Sequence, residues 1–337
     1  MSKVSIKEVA EYSGVSIATV SQVLRDKGRI SEATRDKVRE ALDTLGYVYN
    51  QNAANLRAKK SNQIGLLVHD ISNPFYGEMA ASLSRVIDDA GNMLFLSNTE
   101  GNVDKQERLT KALVQNGAAG IIICASNSTP DNYFEELKSG SLPVVLVTRH
   151  ESKGLDFVGT DNVVGGLMAT QHLVDLGHRK IAFIGGELDT INRNNRILGY
   201  KTALSNAGLI YDESLNIPTE TSKEAGAKAI EMILSNRKDV TACLFYQDVI
   251  AHGAMEYLRK NGFVAGKDIS IIGLDGTEAS LSMSPSLTSV SFSAEEMGAK
   301  AAQLLFERLQ GNGSKDVQKI IIEPKLIVGE STGVYSN

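Results

Sequence analysis

The sequence predicts an α/β protein in which a three-helix head of the helix-turn-helix type and a linker with helix-forming residues precede two doubly wound parallel-sheet subdomains. Three observations predict this fold class. The chain has 337 residues, which is too long for one typical domain and suits two or three. Its beginning, up to Gly46, shows short amphipathic helical patterns. From Ile64 onward, apolar runs alternate with amphipathic segments, which is typical of parallel sheets covered by helices on both faces.

The composition is that of a globular protein. Hydrophobic residues make up 42% and charged residues 22%, which excludes the disordered and collagen-like classes. No apolar run reaches the roughly 18–20 residues that a membrane-spanning helix needs, and the N-terminus lacks the apolar core of a signal peptide. We therefore expect a cytoplasmic protein with no membrane partner.

The charge is distributed unevenly along the chain. The formal net charge is −5, yet residues 1–60 contain eleven Lys and Arg against seven Asp and Glu, a balance of +4. The remaining residues therefore hold a balance of −9. A basic head on an acidic body predicts that a polyanion would meet the head only, although many solvated helices carry a similar charge.

Three helices are predicted in the head. Ser5 with Glu8 forms a capping box at the first helix, which ends near Gly14. Ser16 caps the second helix, and Ser31 caps a third that Gly46 terminates. Helical spacing predicts a small apolar core of Val9, Ala10, Val20, Val23, Leu24, Ala33, Val38, Ala41, Leu42 and Leu45.

The first two helices and their glycine turn describe a helix-turn-helix. On the second helix, Ile17, Ala18, Ser21 and Gln22 share the face opposite the apolar side. This uncharged face suits the edges of base pairs, because Gln22 can pair with adenine N6 and N7 while Ile17 and Ala18 contact thymine methyl groups. The alternative is an ordinary helical hairpin from a bundle.

Phosphate contacts are predicted around this face. Hydroxyl groups near the positive end of the second helix, together with neighbouring cations, are suitable donors to phosphate oxygens. The predicted phosphate contacts are Ser16, Thr19, Arg25, Arg29 and Arg35.

Several motifs together resemble the LacI/GalR family of bacterial transcription regulators. The segment "IKEVAEYSGVSIATVSQVL" is similar to the DNA-binding head of that family, and "NLRAKKSNQIGLLV", "DISNPFYGEM", "LVDLGHRKIAFIGG" and "ISIIGLDG" follow in the order of the family. "GRIS" and "VTRH" also resemble its maltose-regulon repressor branch. The resemblance covers essentially the whole chain. It implies a homodimeric, ligand-controlled repressor, not an enzyme, that binds double-stranded operator DNA and a small effector of the sugar class.

The domain boundaries follow the same resemblance, with subdomains like those of periplasmic binding proteins. We expect a head at residues 1–47, a hinge at 48–62, an N-terminal effector subdomain at 63–161 and 292–323, and a C-terminal effector subdomain at 162–291 and 324–337. Since no leucine heptads follow the last strand, a dimer is favoured over a tetramer.

The hinge of the family becomes a helix on operator DNA. Leu56 matches the leucine that wedges into the central minor groove, and Asn55 precedes it. Paired apolar wedges unstack a base step and bend the duplex. The alternative for Leu56 is an ordinary helix-packing leucine. Tyr49 stands where many members have proline, and Gln22 replaces a common basic residue, so the operator sequence cannot be copied from a relative.

The effector site is predicted at the carboxyl ends of the strands, between the subdomains. Arg196 and Asp275 match ligand-binding positions of the family and suit a polyhydroxyl ligand, although the two can also form only a structural salt bridge. Phe75 with Tyr76 would cover a sugar ring, and Phe75 is equally suited to the core. The predicted site comprises Asp70, Asn73, Phe75, Tyr76, Thr148, Arg149, Arg196, Gln247 and Asp275.

Three positions affect the predicted chemical identity of the effector. Thr148 replaces an aspartate that is frequent in the family, and Gln247 replaces a frequent asparagine. Arg193 is an additional cation near the site. It would favour a phosphorylated or acidic sugar if it contacts the ligand, and the alternative is that Arg193 is a solvated loop residue.

Other chemistry is not indicated. Cys124 and Cys243 lie in strand-like runs and are expected to be buried thiols. His69, His172 and His178 lack metal-ligand spacing and a nearby nucleophile. "IGGELD" lacks the dinucleotide-binding pattern, so no cofactor is expected. Two rival hypotheses stay open, namely a sugar-binding protein without gene control and an enzyme on an α/β scaffold.

Overall fold

The computed structural model describes residues 4–24, 26, 28–47, 61–140, 142–149, 154–311, 314 and 316–335. The chain divides into two compact units, Met1–Ser61 and Asn62–Asn337. Three residues with predicted DNA contacts, Arg25, Asn55 and Leu56, lie outside the described residues, as does Tyr49.

The first unit contains three helices, α1 (Ile6–Ser13), α2 (Ile17–Leu24) and α3 (Glu32–Leu45). The capping box is confirmed, because the carboxylate of Glu8 accepts a hydrogen bond of 2.7 Å from the backbone N–H of Ser5 while Ser5 Oγ accepts one from Glu8 N–H. Gly14 (φ 68°) and Gly46 (φ 62°) end α1 and α3 in the left-handed conformation that glycine adopts most easily.

The core of this unit is small. Its fully packed members are Val9, Ala10, Val20, Val38 and Ala41. The prediction for Ala33 is wrong, since its side chain is exposed. Five residues correspond to about 500° of helical rotation, so Ala33 lies off the stripe that begins at Val38.

The second unit is built on two six-stranded sheets. The first has the strand order β11-β5-β4-β3-β1-β2, and the second has the order β12-β10-β9-β8-β6-β7. All pairings are parallel except β10 with β12, which is antiparallel. The strands are β1 (Gln63–Val68), β2 (Met93–Asn98), β3 (Gly120–Ile123), β4 (Val144–Val147), β5 (Asp156–Thr160), β6 (Ile181–Ile184), β7 (Asn216–Ile217), β8 (Ala242–Phe245), β9 (Ser270–Asp275), β10 (Thr288–Ser291), β11 (Lys319–Ile322) and β12 (Lys325–Ile327).

Helices cover both sheets. They are α4 (Pro74–Asp89), α5 (Val103–Gln115), α6 (Asp131–Ser139), α7 (Asn162–Asp175), α8 (Ile191–Asn206), α9 (Lys223–Asn236), α10 (Asp248–Lys260), α11 (Glu278–Ser282) and α12 (Ala294–Gln310), with a 3₁₀ turn at Glu213–Leu215. Central strands such as β3, β4 and β8 are buried along their whole length, which explains why they are apolar at every position.

The two sheets with their helices form a first lobe and a second lobe, and the chain passes between them three times. It leaves the first lobe after β5, since α7 packs on strands of the second sheet. It returns after β10, because α12 packs on α4 and on β3, β4 and β5. The third passage joins β11 to β12.

Two cysteines and one histidine of the second unit are buried. Cys124 and Cys243 are buried free thiols, as predicted. His178 is buried, with Nδ1 at 2.8 Å from the Thr241 hydroxyl and Nε2 at 2.9 Å from the Ser270 hydroxyl. These contacts tie α7 to the second sheet. Among the described residues, no helix is both long and apolar enough to cross a bilayer.

Candidate functional site

The head presents the predicted base-reading face to solvent. Ile17 is 48% exposed, Ala18 and Gln22 are exposed, and Ser21 is half-buried. Val20 on the opposite side of α2 is fully buried, which fixes the rotation of the helix. An exposed isoleucine beside an exposed amide side chain suits contact with base edges.

The predicted phosphate contacts differ in their surroundings. The Ser16 hydroxyl lies 2.9 Å from that of Thr19 and accepts a hydrogen bond from the Thr19 N–H, so both stand at the positive end of α2. Arg29 is exposed. The guanidinium of Arg35 is only 16% exposed and forms an ion pair with Asp26, so part of its charge is already compensated.

The second unit encloses a cavity between its two lobes. Its volume is about 20 Å³, which is enough for about one water molecule. The cavity lies at the carboxyl ends of the strands, where doubly wound sheets bind ligands. Its lining residues are Phe75, Tyr76, Thr148, Arg149, Thr160, Asn162, Asn192, Arg196, Tyr246, Gln247, Asp275, Phe292 and Met297.

Asp70 and Asn73 do not line this cavity, although they were predicted in the effector site. Asp70 Oδ1 accepts hydrogen bonds from the N–H and hydroxyl of Ser72, and Asn73 caps α4 by accepting from the Phe75 N–H at 3.0 Å. The Asp70 side chain bonds within the turn that leads into α4, whereas the Asn73 side chain also lies near the Asp275 carboxyl group and lowers its pKa. They orient Phe75 and Tyr76, which do line the cavity and contact each other edge to face at 5.6 Å.

Six lining residues escaped the sequence analysis. Asn192 carries the clearest signal, because it lies one helical turn before Arg196 on the same face of α8. Asn162 begins α7 at the first passage between lobes, and Tyr246 directly precedes Gln247. The remaining three, Thr160, Phe292 and Met297, lie at the passages between lobes, where no periodic pattern marks a side chain for the cleft.

Arg196 is held firmly in the cavity wall. Its Nε donates to Asn162 Oδ1 at 2.8 Å, and its Nη1 donates to the carbonyl of Tyr246. The guanidinium also lies between the rings of Tyr246 and Phe292, at 4.5 and 4.6 Å from their centroids. Its position depends on close helix packing, since a Cβ at Gly166 of α7 would lie 2.1 Å from the Arg196 carbonyl oxygen.

Asp275 lies opposite Arg196, and the two do not form a tight pair. The nearest distance between guanidinium nitrogen and carboxylate oxygen is 4.0 Å. The Oδ2 atom of Asp275 has no hydrogen-bond partner although the residue is only 2% exposed. Burial raises the pKa of Asp275 well above its ordinary value, and Arg196 acts in the opposite direction.

Arg149 projects from the other lobe. It is 8% exposed and donates to Asn127 Oδ1 at 2.8 Å and to the Tyr76 hydroxyl at 3.2 Å. Its Nε has no partner, and no carboxylate of a described residue lies within 4.0 Å of it. Thr148, which precedes it, has φ 65°, a strained conformation for a β-branched residue and one typical of functional sites.

Arg193 is neither a cavity residue nor a solvated one. It is 2% exposed, its Nε donates to the Gly185 carbonyl at 2.9 Å, and its Nη2 donates to Asn216 Oδ1 at 2.6 Å. These bonds join α8 to β6 and β7, so Arg193 has a structural position.

Asp248 does not line the cavity, but its carboxylate holds together the segments that carry Gln247 and Asp275. Its carboxylate accepts hydrogen bonds from the Thr277 N–H, the Ser280 hydroxyl and the Ser289 hydroxyl at 3.0, 2.6 and 2.6 Å. The start of α10 is thereby joined to the loop after β9. Gln247 and Asp275 are the neighbours that this network positions.

The two lobes also touch across the mouth of the cavity. Asn192 Nδ2 donates to the Thr148 carbonyl at 3.3 Å, and the Glu278 N–H donates to Glu78 Oε1 at 2.8 Å. These two hydrogen bonds join the first lobe to the second.

Comparison with known proteins decides the family. Residues 5–50 match the model of bacterial regulatory proteins of the lacI family, and residues 170–332 match that of the periplasmic binding protein-like domain. The chain is 37% identical over 333 residues to the HTH-type transcriptional regulator DegA of Bacillus subtilis, with 98% of each chain covered. The chain belongs to the LacI family of bacterial transcription regulators.

Further relatives agree with this assignment. The maltose regulon regulatory protein MalI of Escherichia coli is 30% identical over 97% of this chain and 98% of its own. This LacI-family chain also superposes on the lac repressor dimer bound to operator and the anti-inducer ONPF with a TM-score of 0.83, at 26% identity, covering 98% and 99% of the two chains. The protein is therefore a transcriptional regulator and not an enzyme.

Proposed function

We propose that this LacI-family regulator is a cytoplasmic, homodimeric repressor whose affinity for operator DNA is controlled by a small polyhydroxyl ligand bound between its two lobes. The observation that carries the proposal is the exposed face of α2, with Ile17 48% exposed beside Gln22 on a helix whose other side is buried. Residues in this arrangement read base edges, whereas cations and hydroxyl groups around them bind phosphates. A DNA target of this kind supports a cytoplasmic location.

The ligand arm of the proposal is supported by the cavity. Charged groups of both lobes meet there, Arg149 from the first lobe and Arg196 and Asp275 from the second, and hydroxyl groups of a sugar can accept from the arginines and donate to the carboxylate. Tyr76 and Phe75 supply the apolar surface that a sugar ring requires. The ligand acts on DNA binding only as far as it binds one arrangement of the lobes better than another.

The dimer is supported by the edge of the first sheet. Strand β2 pairs with β1 on one side, and three of its apolar side chains are exposed, Met93 at 53%, Phe95 at 41% and Leu96 at 41%. An apolar edge strand invites aggregation unless something covers it. A second copy related by a two-fold axis would cover it and would place two heads on a pseudo-palindromic operator.

Band shifts with the full-length chain on the DNA upstream of its own gene test the DNA arm. We expect a complex at nanomolar protein that survives about 0.15 M salt and excess nonspecific DNA. Binding that is equally strong to any duplex of the same length, or no binding at all, would overturn the proposal. Screening sugars in the same assay tests the ligand arm separately.

A further inference from the structure

The strongest unexplained feature of the cavity is Arg149. Its guanidinium is more than nine-tenths buried and lines the cavity, and its partners are the neutral groups of Asn127 and Tyr76. A buried cation without a counter-charge is costly, because neither water nor a carboxylate compensates the lost hydration.

Among the described residues, the neighbours of Arg149 do not supply the missing charge. The Tyr76 phenol is neutral at pH 7, because burial raises its pKa well above the ordinary value. Thr148, directly before Arg149, is also neutral. His69 cannot contribute an anion, and burial together with Arg149 lowers its pKa to about 4.

The described lining of the cavity therefore carries more cations than carboxylates. Its ionised lining residues are Arg149 and Arg196 against one carboxyl group, Asp275. Arg196 already has Asn162, the Tyr246 carbonyl and two aromatic rings as partners. The unsatisfied groups are the Arg149 Nε–H, which is a donor, and Asp275 Oδ2, which is an acceptor. One lies on each lobe.

We propose that the effector carries an anionic oxygen group, a phosphate or a carboxylate, which pairs with Arg149, while hydroxyl groups of the same molecule bind Asp275 and Arg196. An anionic group offers the bidentate acceptor that a guanidinium matches best. A hydroxyl group donates to Asp275 Oδ2. A neutral sugar would satisfy Asp275 and leave the charge of Arg149 uncompensated. This inference rests on the proposed ligand-controlled function and narrows the class of ligand.

Thermal unfolding of the full-length chain tests the inference with matched compounds. Because the chain contains no Trp, unfolding is followed by circular dichroism. The compounds are glucose, gluconate and glucose 6-phosphate, ribose, ribonate and ribose 5-phosphate, and inorganic phosphate alone. We expect at least one anionic sugar to raise Tm by about 5 °C at about 100 times its Kd, with no comparable rise for its neutral counterpart. The phosphate and carboxylate members separate the two sources of charge.

Variants of Arg149 make the test specific. Arg149→Gln is expected to weaken the anionic sugar on the order of 100-fold, and Arg149→Lys is expected to retain part of the affinity. Arg259→Gln, which removes an exposed cation at the end of α10, is the matched control and leaves binding unchanged. Without any ligand, Arg149→Met is expected to unfold at the same temperature as the wild type or higher, since a buried unpaired cation destabilises the protein.

Three results would overturn the inference: no anionic sugar of the panel binds, a neutral sugar binds equally well to wild type and Arg149→Gln, or Arg149→Met lowers Tm by several degrees in the absence of ligand. Each of these leaves operator binding by the ligand-free chain intact in the band-shift assay. Loss of operator binding would instead contradict the proposed function.

Discussion

We expect single side chains of the head to divide into those that read bases and those that attract phosphates. Gln22 is exposed and uncharged, whereas Arg29 is exposed and charged. Gln22→Ala is expected to relax specificity at one base position by roughly 1–3 kcal/mol. Arg29→Ala should weaken all sequences alike and lower the salt dependence by about one phosphate contact. Band shifts on single-base operator variants at several salt concentrations measure both, and identical effects of the two changes would contradict the division.

Arg35 is a poorer probe of phosphate binding than the sequence suggests. Its ion pair with Asp26 joins α3 to the loop after α2, so Arg35→Ala would also disturb the fold of the head. The sequence indicated Arg35 as a phosphate contact but gave no sign of this partner, because Asp26 belongs to an irregular turn. Arg193 shows the same limit, since its bonds to Gly185 and Asn216 depend on a sheet that brings distant segments together.

The Asp248 network gives a prediction about the folded body. Asp248→Ala leaves the Thr277 N–H and the hydroxyl groups of Ser280 and Ser289 without their buried acceptor, so we expect it to lower the free energy of unfolding by about 2–4 kcal/mol. Asp89→Ala, at an exposed position near the end of α4, should change it by less than about 0.5 kcal/mol. Urea denaturation compares the two, and equal midpoints would show that the network contributes nothing.

At the scale of elements, strand β2 has an apolar sequence although much of it is exposed to solvent. Its apolar residues predict a buried strand, yet Phe95 and Leu96 are exposed in the single chain. Phe95→Glu is expected to convert a dimer to monomers and to weaken operator binding by at least about 100-fold, because a monomer brings only one head to the DNA. Sedimentation equilibrium measures the first effect. A variant that stays dimeric would place the interface elsewhere.

Most elements were predictable because their signals are local. The capping box of Ser5 and Glu8, the stop at Gly46 and the wholly apolar strand β3 each follow from a few neighbouring residues. The cavity was predictable where it uses strand ends, as at Thr148 and Asp275. It was not predictable at Phe292 and Met297, which reach the cavity only because the chain returns to the first lobe after β10.

The whole molecule should lose stability in mild acid. Burial lowers the pKa values of His69, His172, His178 and His252, with that of His69 falling to about 4. The unfolded chain, with histidine pKa values near 6.5, therefore binds more protons than the folded chain as pH falls below 6.5. We expect the free energy of unfolding to be highest above pH 6.5 and to decline toward pH 4.

Urea denaturation between pH 8 and pH 4 measures this decline. His69→Gln should remove part of the slope, because His69 has the lowest of these pKa values. A curve that is flat or that rises toward acid would show that carboxyl groups with raised pKa values such as Asp275, which contribute with the opposite sign, outweigh the histidines.

A chamber with about 20 Å³ of free volume cannot admit a sugar while its walls remain in contact. Capture must therefore wait until the Asn192–Thr148 and Glu78–Glu278 contacts break, and escape must wait for the same event. The rates of ligand binding and of ligand release are then both limited by separation of the lobes rather than by diffusion. The regulator would then respond to a new ligand with a lag set by the rate at which the two lobes separate, however high the ligand concentration becomes.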